Sequence, residues 1–166
     1  PEAFWKACDE MGIMVTQDFL LACANYPEES PDFLDLLKVE FEYAIRMLRN
    51  HPSLVFWAGN NELGMNDTPD SNFSGKKISL EISGPLVKKL DPSRPFRLTS
   101  PYGGKFNNSP DEGDCHISAW YEPEFFKGNM LDYRERIEAL SGRFHSECAI
   151  PGAPPLHCLL KFLTRE

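Results

Sequence analysis

The sequence predicts an α/β fold in which short strands alternate with amphipathic helices around a parallel sheet. Three observations carry this. Leu54-Val55-Phe56-Trp57-Ala58-Gly59 is a near-continuous apolar run, of the kind that suits a strand buried on both faces. Phe33 to Leu48 repeats its apolar residues with helical periodicity. Five strand candidates, starting near residues 13, 54, 96, 115 and 143, alternate with helical segments, which implies successive βα units. Each strand ends in polar or aromatic residues: Asp18, Asn60-Asn61-Glu62, Ser100, Trp120 and Glu147. In a (β/α)8 TIM barrel the working groups stand at the C-terminal ends of the strands, so the pattern fits part of such a barrel. A whole barrel needs roughly 250 residues, and this chain has 166.

Each element has its own signal. Phe4 to Met11 reads as the end of a helix, with Gly12 suited to the cap after it. Ile13-Met14-Val15-Thr16 is a short β-prone run that leads to Gln17-Asp18-Phe19. A loop rich in Pro, Glu and Ser separates it from the long helix. Phe33, Leu36, Leu37, Phe41, Ala44, Ile45 and Leu48 are expected on one face of that helix. Ser30 or Asp32 could cap its start, and Pro52 cannot continue it. Asn66 to Gly75 is a polar loop. Lys77 to Leu90 looks helical, with a break or kink near Gly84-Pro85. Arg97-Leu98-Thr99 and His116 to Trp120 are strand candidates. Asp132 to Leu140 looks helical, Arg143-Phe144-His145-Ser146 leads as a strand into Glu147, and a final helix is expected over Pro155 to Leu163.

Composition excludes several classes. The net charge is -8 and the basic residues are scattered, which argues against a nucleic-acid partner, since phosphate binding needs clustered Lys and Arg. No apolar run is long enough to span a membrane. The first residues do not resemble a signal peptide and read like the middle of a helix. None of the five cysteines lies in a CxxC pair, and no Cys/His cluster has zinc-site spacing. They read as unpaired, mostly buried thiols.

The motif that carries chemistry is His51-Pro52-Ser53 followed by the apolar strand and Asn60-Asn61-Glu62. A carboxyl buried at a strand tip has its pKa raised, as a general acid near neutral pH requires. An adjacent amide can hydrogen-bond a sugar hydroxyl. On spacing alone the same segment reads as readily as a helix start, with Asn60 or Asn61 as cap and Glu62 in the first turn.

The segment is similar to the acid/base motif of glycoside hydrolase family 2, and further segments resemble that family in order. Asp9-Glu10-Met11-Gly12-Ile13-Met14-Val15 with Gln17-Asp18-Phe19 looks like its third barrel strand and approach. Leu90-Asp91-Pro92-Ser93-Arg94-Pro95 looks like the lead into the fifth. Gly113-Asp114-Cys115-His116 with Trp120 looks like the sixth, and Arg143 to Glu147 like the seventh. The β-mannosidase branch is the nearest likeness. The resemblance covers nearly the whole chain and implies barrel strands three to seven. The other barrel strands and the preceding β-sandwich domains of the same polypeptide would be absent.

What the resemblance implies is retaining hydrolysis of terminal β-linked sugars by double displacement. Glu147 would attack the anomeric carbon, and Glu62 would protonate the leaving oxygen and then deprotonate water. Such a pair stands about 5–5.5 Å apart and needs no metal or cofactor. Asn61 matches the family position that contacts the sugar's 2-hydroxyl. Asp18, Trp120 and His116 are further candidates for the carbohydrate substrate, Trp120 as a stacking wall. His116 could instead orient a site residue, and Trp57 reads as core. Two other readings stand beside this one. One is a family 2 galactosidase, glucuronidase or glucosaminidase, and the other is a barrel that binds carbohydrate without cleaving it.

Overall fold

Three parallel strands organise the chain. The computed structural model describes residues 1–117, 128–139, 142–148 and 154–163. These fall into two units, Pro1–His116 with Ser141–Ser146, and Ile117–Leu140 with Glu147–Glu166. In the first unit, α1 (Glu2–Met11) ends at Gly12, which adopts φ 68°. An L side chain rarely takes that left-handed conformation, so glycine suits the cap. β1 (Val15–Asp18) follows, then α2 (Pro31–Leu48), β2 (Leu54–Ala58) and β3 (Phe96–Arg97). The sheet order is β1-β2-β3. Gln17 sits opposite Trp57 and Asp18 opposite Ala58, while Trp57 and Ala58 face Phe96 and Arg97 on the other side. Parallel neighbours need a crossover, and the intervening helices supply it.

The core packs on this sheet. Trp57, Phe41 and Ile45 are fully buried, with Phe19 stacked 5.3 Å from Trp57 and 4.3 Å from Phe41. Burying each such side chain stabilises the fold by about 1.5–3 kcal/mol. The apolar stripe of α2 runs through Phe33, Leu34, Leu37, Phe41, Ala44, Ile45 and Leu48. Leu36, expected on that stripe, is 70% exposed. It lies five residues from Phe41, about 140° around the helix, and Leu34 takes the place expected of it. Pro31 occupies the start of α2, and Ser30 stands at its N-cap without a side-chain bond.

The expected break in the next helix takes a definite form. α3 (Lys76–Ile78) passes into a π-helical turn, Ser79–Ser83, and α4 (Gly84–Leu90) begins immediately after it. Pro85 has no N–H and its ring clashes with a normal helical turn before it, which the wider turn relieves. Gly84 N–H reaches back to Ser79 O. A Cβ on Gly84 would come within 2.9 Å of that same carbonyl.

Arg94 staples the approach to β3. Its guanidinium donates to the carbonyls of Leu54 (2.6 Å), Arg49 (2.7 Å) and His51 (2.7 Å) and pairs with buried Asp91 at 2.9 Å. Asp91 also accepts the Trp57 indole N–H at 2.9 Å. The expected core role of Trp57 therefore includes a satisfied polar edge.

β4 (Cys115–Ile117) and β5 (His145–Cys148) form a two-stranded sheet. Inside the first unit, Cys115 N–H donates to Phe144 O at 2.9 Å. The second unit holds α5 (Met130–Glu138) and α6 (Leu156–Leu159). Asn129 Oδ1 accepts from the backbone of Leu131 and Asp132, and Asp132 Oδ2 accepts from Asn129 N–H at 3.0 Å, a reciprocal cap. α6 is shorter than the helix expected over Pro155 to Leu163. No described helix is long and apolar enough to cross a membrane.

Candidate active site

The C-terminal ends of β1, β2 and β3 converge on one short stretch. Asn61 makes parallel bridges to Ala22 on one side and Ser100 on the other, so it continues the sheet past the strand ends. Asn61 N–H donates to Leu21 O at 2.8 Å, and Glu62 N–H to Ser100 O at 2.7 Å. β2, expected to be buried on both faces, is buried at Leu54, Trp57 and Ala58 and only partly so at Val55 and Phe56, and the next four residues form turns rather than a helix.

The three residues of the tip divide the work. Asn60 is fully buried and structural. Its Oδ1 accepts from Thr99 Oγ1 at 2.6 Å and from Leu63 N–H at 3.3 Å, and its Nδ2 donates to Leu98 O at 3.0 Å. It therefore caps a turn, which is part of the capping alternative, but no helix follows. Asn61 is half-buried, and its side-chain amide has no hydrogen-bond partner among the described residues. Glu62 adopts φ 62°, a conformation that costs a non-glycine residue about 1–2 kcal/mol and that gathers at functional sites.

The Glu62 carboxylate meets His116 and Cys23. Oε1 lies 3.0 Å from His116 Nδ1, and Oε2 accepts from Cys23 Sγ at 3.6 Å. Cys23 is exposed and is, among the described residues, the other non-glycine residue with positive φ, at 48°. His116 is buried, and its Nε2 lies 3.1 Å from Ser100 Oγ. Ser100 Oγ lies 2.8 Å from Asp114 Oδ2, which Ser146 Oγ also approaches at 2.6 Å. Asp114 Oδ1 accepts from Tyr102 N–H at 2.9 Å. Asn108 grips the His116 backbone, accepting its N–H at 2.7 Å and donating to its carbonyl at 3.4 Å. A chain of polar groups thus runs from half-buried Glu62 into the interior.

The remaining candidates stand as follows. Asp18 is the last residue of β1, half-buried, on a rung below the Ala22–Asn61 bridge. Glu147 is half-buried on β5 and belongs to the second unit. Trp120 lies outside the described residues. Cys23, Ser100, Asp114, Ser146 and Asn108 were not among the expected site residues. Ser100 and Asp114 had a signal, since each closes or opens a strand candidate; Cys23 had none.

None of the five cysteines forms a disulfide. The expectation that they are mostly buried is corrected: Cys8 and Cys115 are buried, Cys23 and Cys148 are exposed, and Cys158 is intermediate. Burial, and then the nearby Asp114 carboxylate, pushes the Cys115 thiol pKa up.

Comparison with known proteins bears on this arrangement. No protein-family profile matches the chain. It is 36% identical over 183 aligned residues to Beta-mannosidase B of Emericella nidulans, and 33% identical to Beta-mannosidase B of Aspergillus flavus. Each alignment covers 99% of this chain and 21% of the relative. The crystal structure of the β-D-mannosidase from Dictyoglomus thermophilum superposes with a TM-score of 0.76 at 37% identity. That match covers 99% of this chain and 20% of the other. The chain therefore spans about a fifth of the length of these relatives and is homologous to a segment of proteins of the β-mannosidase kind.

Proposed function

From this homology we propose that the chain contributes the catalytic face of a retaining exo-β-glycosidase that removes terminal β-mannosyl residues. Glu62 is the general acid and base, and Glu147 is the nucleophile. The observation that carries the reading is the placement of Glu62. It stands at the end of a buried central strand, in strained backbone, with its carboxylate against buried His116 and exposed Cys23. A solvated surface glutamate has no use for such a setting.

In this reading Asn61 and Asp18 bind sugar hydroxyls, and Asn61's side-chain amide is available for one. Trp120 supplies an aromatic wall. No metal or cofactor takes part. The three parallel strands and their crossover helices support a segment of a (β/α)8 barrel. The remaining strands and any β-sandwich domains correspond to the relatives' additional length.

Turnover of nitrophenyl glycosides by the complete gene product tests this. β-Mannoside is cleaved fastest, and Glu147→Gln loses at least about a thousandfold in kcat. Wild-type turnover in Glu147→Gln shows that the nucleophile is misassigned. An untouched β-mannoside beside a cleaved galactoside, glucuronide or glucosaminide overturns the sugar assignment and leaves the mechanism standing.

A further inference from the structure

We propose that Ser100 is a positioning residue for Glu62, holding its backbone by main-chain bonds and its carboxyl group through the His116 ring. The proposal rests on the reading of Glu62 as the general acid and base. The main-chain part is direct. Glu62 N–H donates to Ser100 O at 2.7 Å, and Ser100 N–H donates to Asn60 O at 2.8 Å. Asn61, between those two residues, forms the parallel bridge with Ser100. The strand tip is fixed on both sides of Asn61, at the point where Glu62 turns into left-handed backbone.

The side chain acts at one remove. Ser100 is 3% exposed, and its Oγ lies 2.8 Å from Asp114 Oδ2 and 3.1 Å from His116 Nε2. A carboxylate only accepts, and a hydroxyl has one proton to give. Ser100 spends that proton on Asp114 Oδ2, as Ser146 does at 2.6 Å, while Asp114 Oδ1 accepts Tyr102 N–H at 2.9 Å. His116 Nε2 is therefore the donor to Ser100 Oγ. In a neutral ring Nδ1 then carries no proton, and the acid form of Glu62 closes the 3.0 Å contact at Oε1 with its own. Asn108 grips the His116 backbone at N–H and carbonyl, so the Nε2–H bond to Ser100 is what sets the turn of the ring. The plane of the Glu62 carboxyl group is fixed by that ring before substrate arrives.

Without the hydroxyl, a buried N–H loses its acceptor, which is costly. The ring turns to recover a partner, and Nδ1 leaves Glu62. Ser100→Ala keeps every main-chain bond of residue 100, so the strand tip stays and the aim of the acid changes. Proton delivery then suffers in proportion to how much the leaving group needs a proton. The test is kcat/KM of the complete gene product on a methyl and a 2,4-dinitrophenyl glycoside of the sugar it cleaves. Ser100→Ala loses at least about tenfold on the methyl glycoside and less than about threefold on the dinitrophenyl glycoside, whose leaving group needs no proton. His116→Ala shows the same selectivity. The double variant is no worse on the methyl glycoside than His116→Ala alone, because the hydroxyl acts through the ring.

Equal losses on both substrates in Ser100→Ala, or no loss on either, overturn the proposal. So do losses that multiply in the double variant, and so does a rise in KM with kcat unchanged, which marks a sugar contact. Glu62→Gln measured on the same pair separates the two readings. Leaving-group dependence in Glu62→Gln without any in Ser100→Ala sinks the Ser100 role alone. Its absence in Glu62→Gln sinks the assignment of Glu62 and the Ser100 role with it.

Discussion

Glu62 Oε1 and His116 Nδ1 stand 3.0 Å apart, although their residues are separated by 54 positions in the chain. One belongs to a residue in left-handed backbone and the other to a side chain 2% exposed. A half-buried carboxylate held by a buried ring is a local commitment of stability to geometry, and it leads directly to the first prediction.

Glu62→Gly is expected to unfold at higher denaturant than Glu62→Ala, by about 1 kcal/mol, because only glycine meets φ 62° without a Cβ penalty. Under the proposed acid/base role both variants are expected to lose activity on poor leaving groups. Equal stabilities in urea unfolding show that the turn relaxes and stores no strain.

A maleimide is expected to modify Cys23 well before Cys8 or Cys115, since the first is exposed and the other two are buried. Cys23 Sγ lies 3.6 Å from Glu62 Oε2, so its modification should abolish turnover. A competing monosaccharide should protect against it. Peptide mapping of the labelled protein, with activity measured at each time point, checks both statements. Full activity after stoichiometric labelling of Cys23 contradicts the second.

Asp9 sets an acid limit on the first unit. Ser53 and His51 beside its carboxylate lower its pKa to about 2, with Asp9 Oδ1 accepting Ser53 N–H at 3.0 Å and Oδ2 2.6 Å from His51 Nδ1. A carboxyl of the unfolded chain titrates near 3.9. The folded pKa is the lower one, so this stabilisation is fully present above about pH 4 and is lost as the pH falls toward about 2. Asp9→Asn should have the lower Tm at pH 7, and the two proteins should converge as the pH approaches about 2. Parallel Tm curves between pH 5 and 2 rule this linkage out.

Arg94→Ala is expected to destabilise by about 3 kcal/mol, because it strands three backbone carbonyls and leaves buried Asp91 without its cation. Arg94→Lys should recover less than half of that, since one ammonium cannot reproduce the planar fork. Urea unfolding of the three proteins is the measurement. Wild-type stability in Arg94→Ala means that water replaces the guanidinium at all three carbonyls.

Much of this architecture was legible beforehand, and particular residues show why. The described strands begin within two residues of the expected starts near 13, 54, 96, 115 and 143, and α2 spans the segment of strongest 3.6-residue periodicity. Those signals are local and repeat along the chain. Leu36 was misplaced because adjacent apolar positions, Leu36 and Leu37, fit a broad stripe equally well until the partner surface is known. The sequence announces a break or kink near Gly84-Pro85 but not the π turn of Ser79–Ser83, because proline marks a break and not the form that relieves it.

By itself the sequence determined the alternation of strand and helix and the apolar strand ending in Asn60-Asn61-Glu62. These follow from periodicity and apolar runs, which each segment carries within itself. The tertiary structure alone decided that Asn60 is a buried brace, that Glu62 takes a left-handed backbone, and that His116 and Cys23 flank its two oxygens. The physical reason is distance along the chain. Cys23 and His116 lie 39 and 54 residues from Glu62, and no local signal records which strand ends a parallel sheet will bring together.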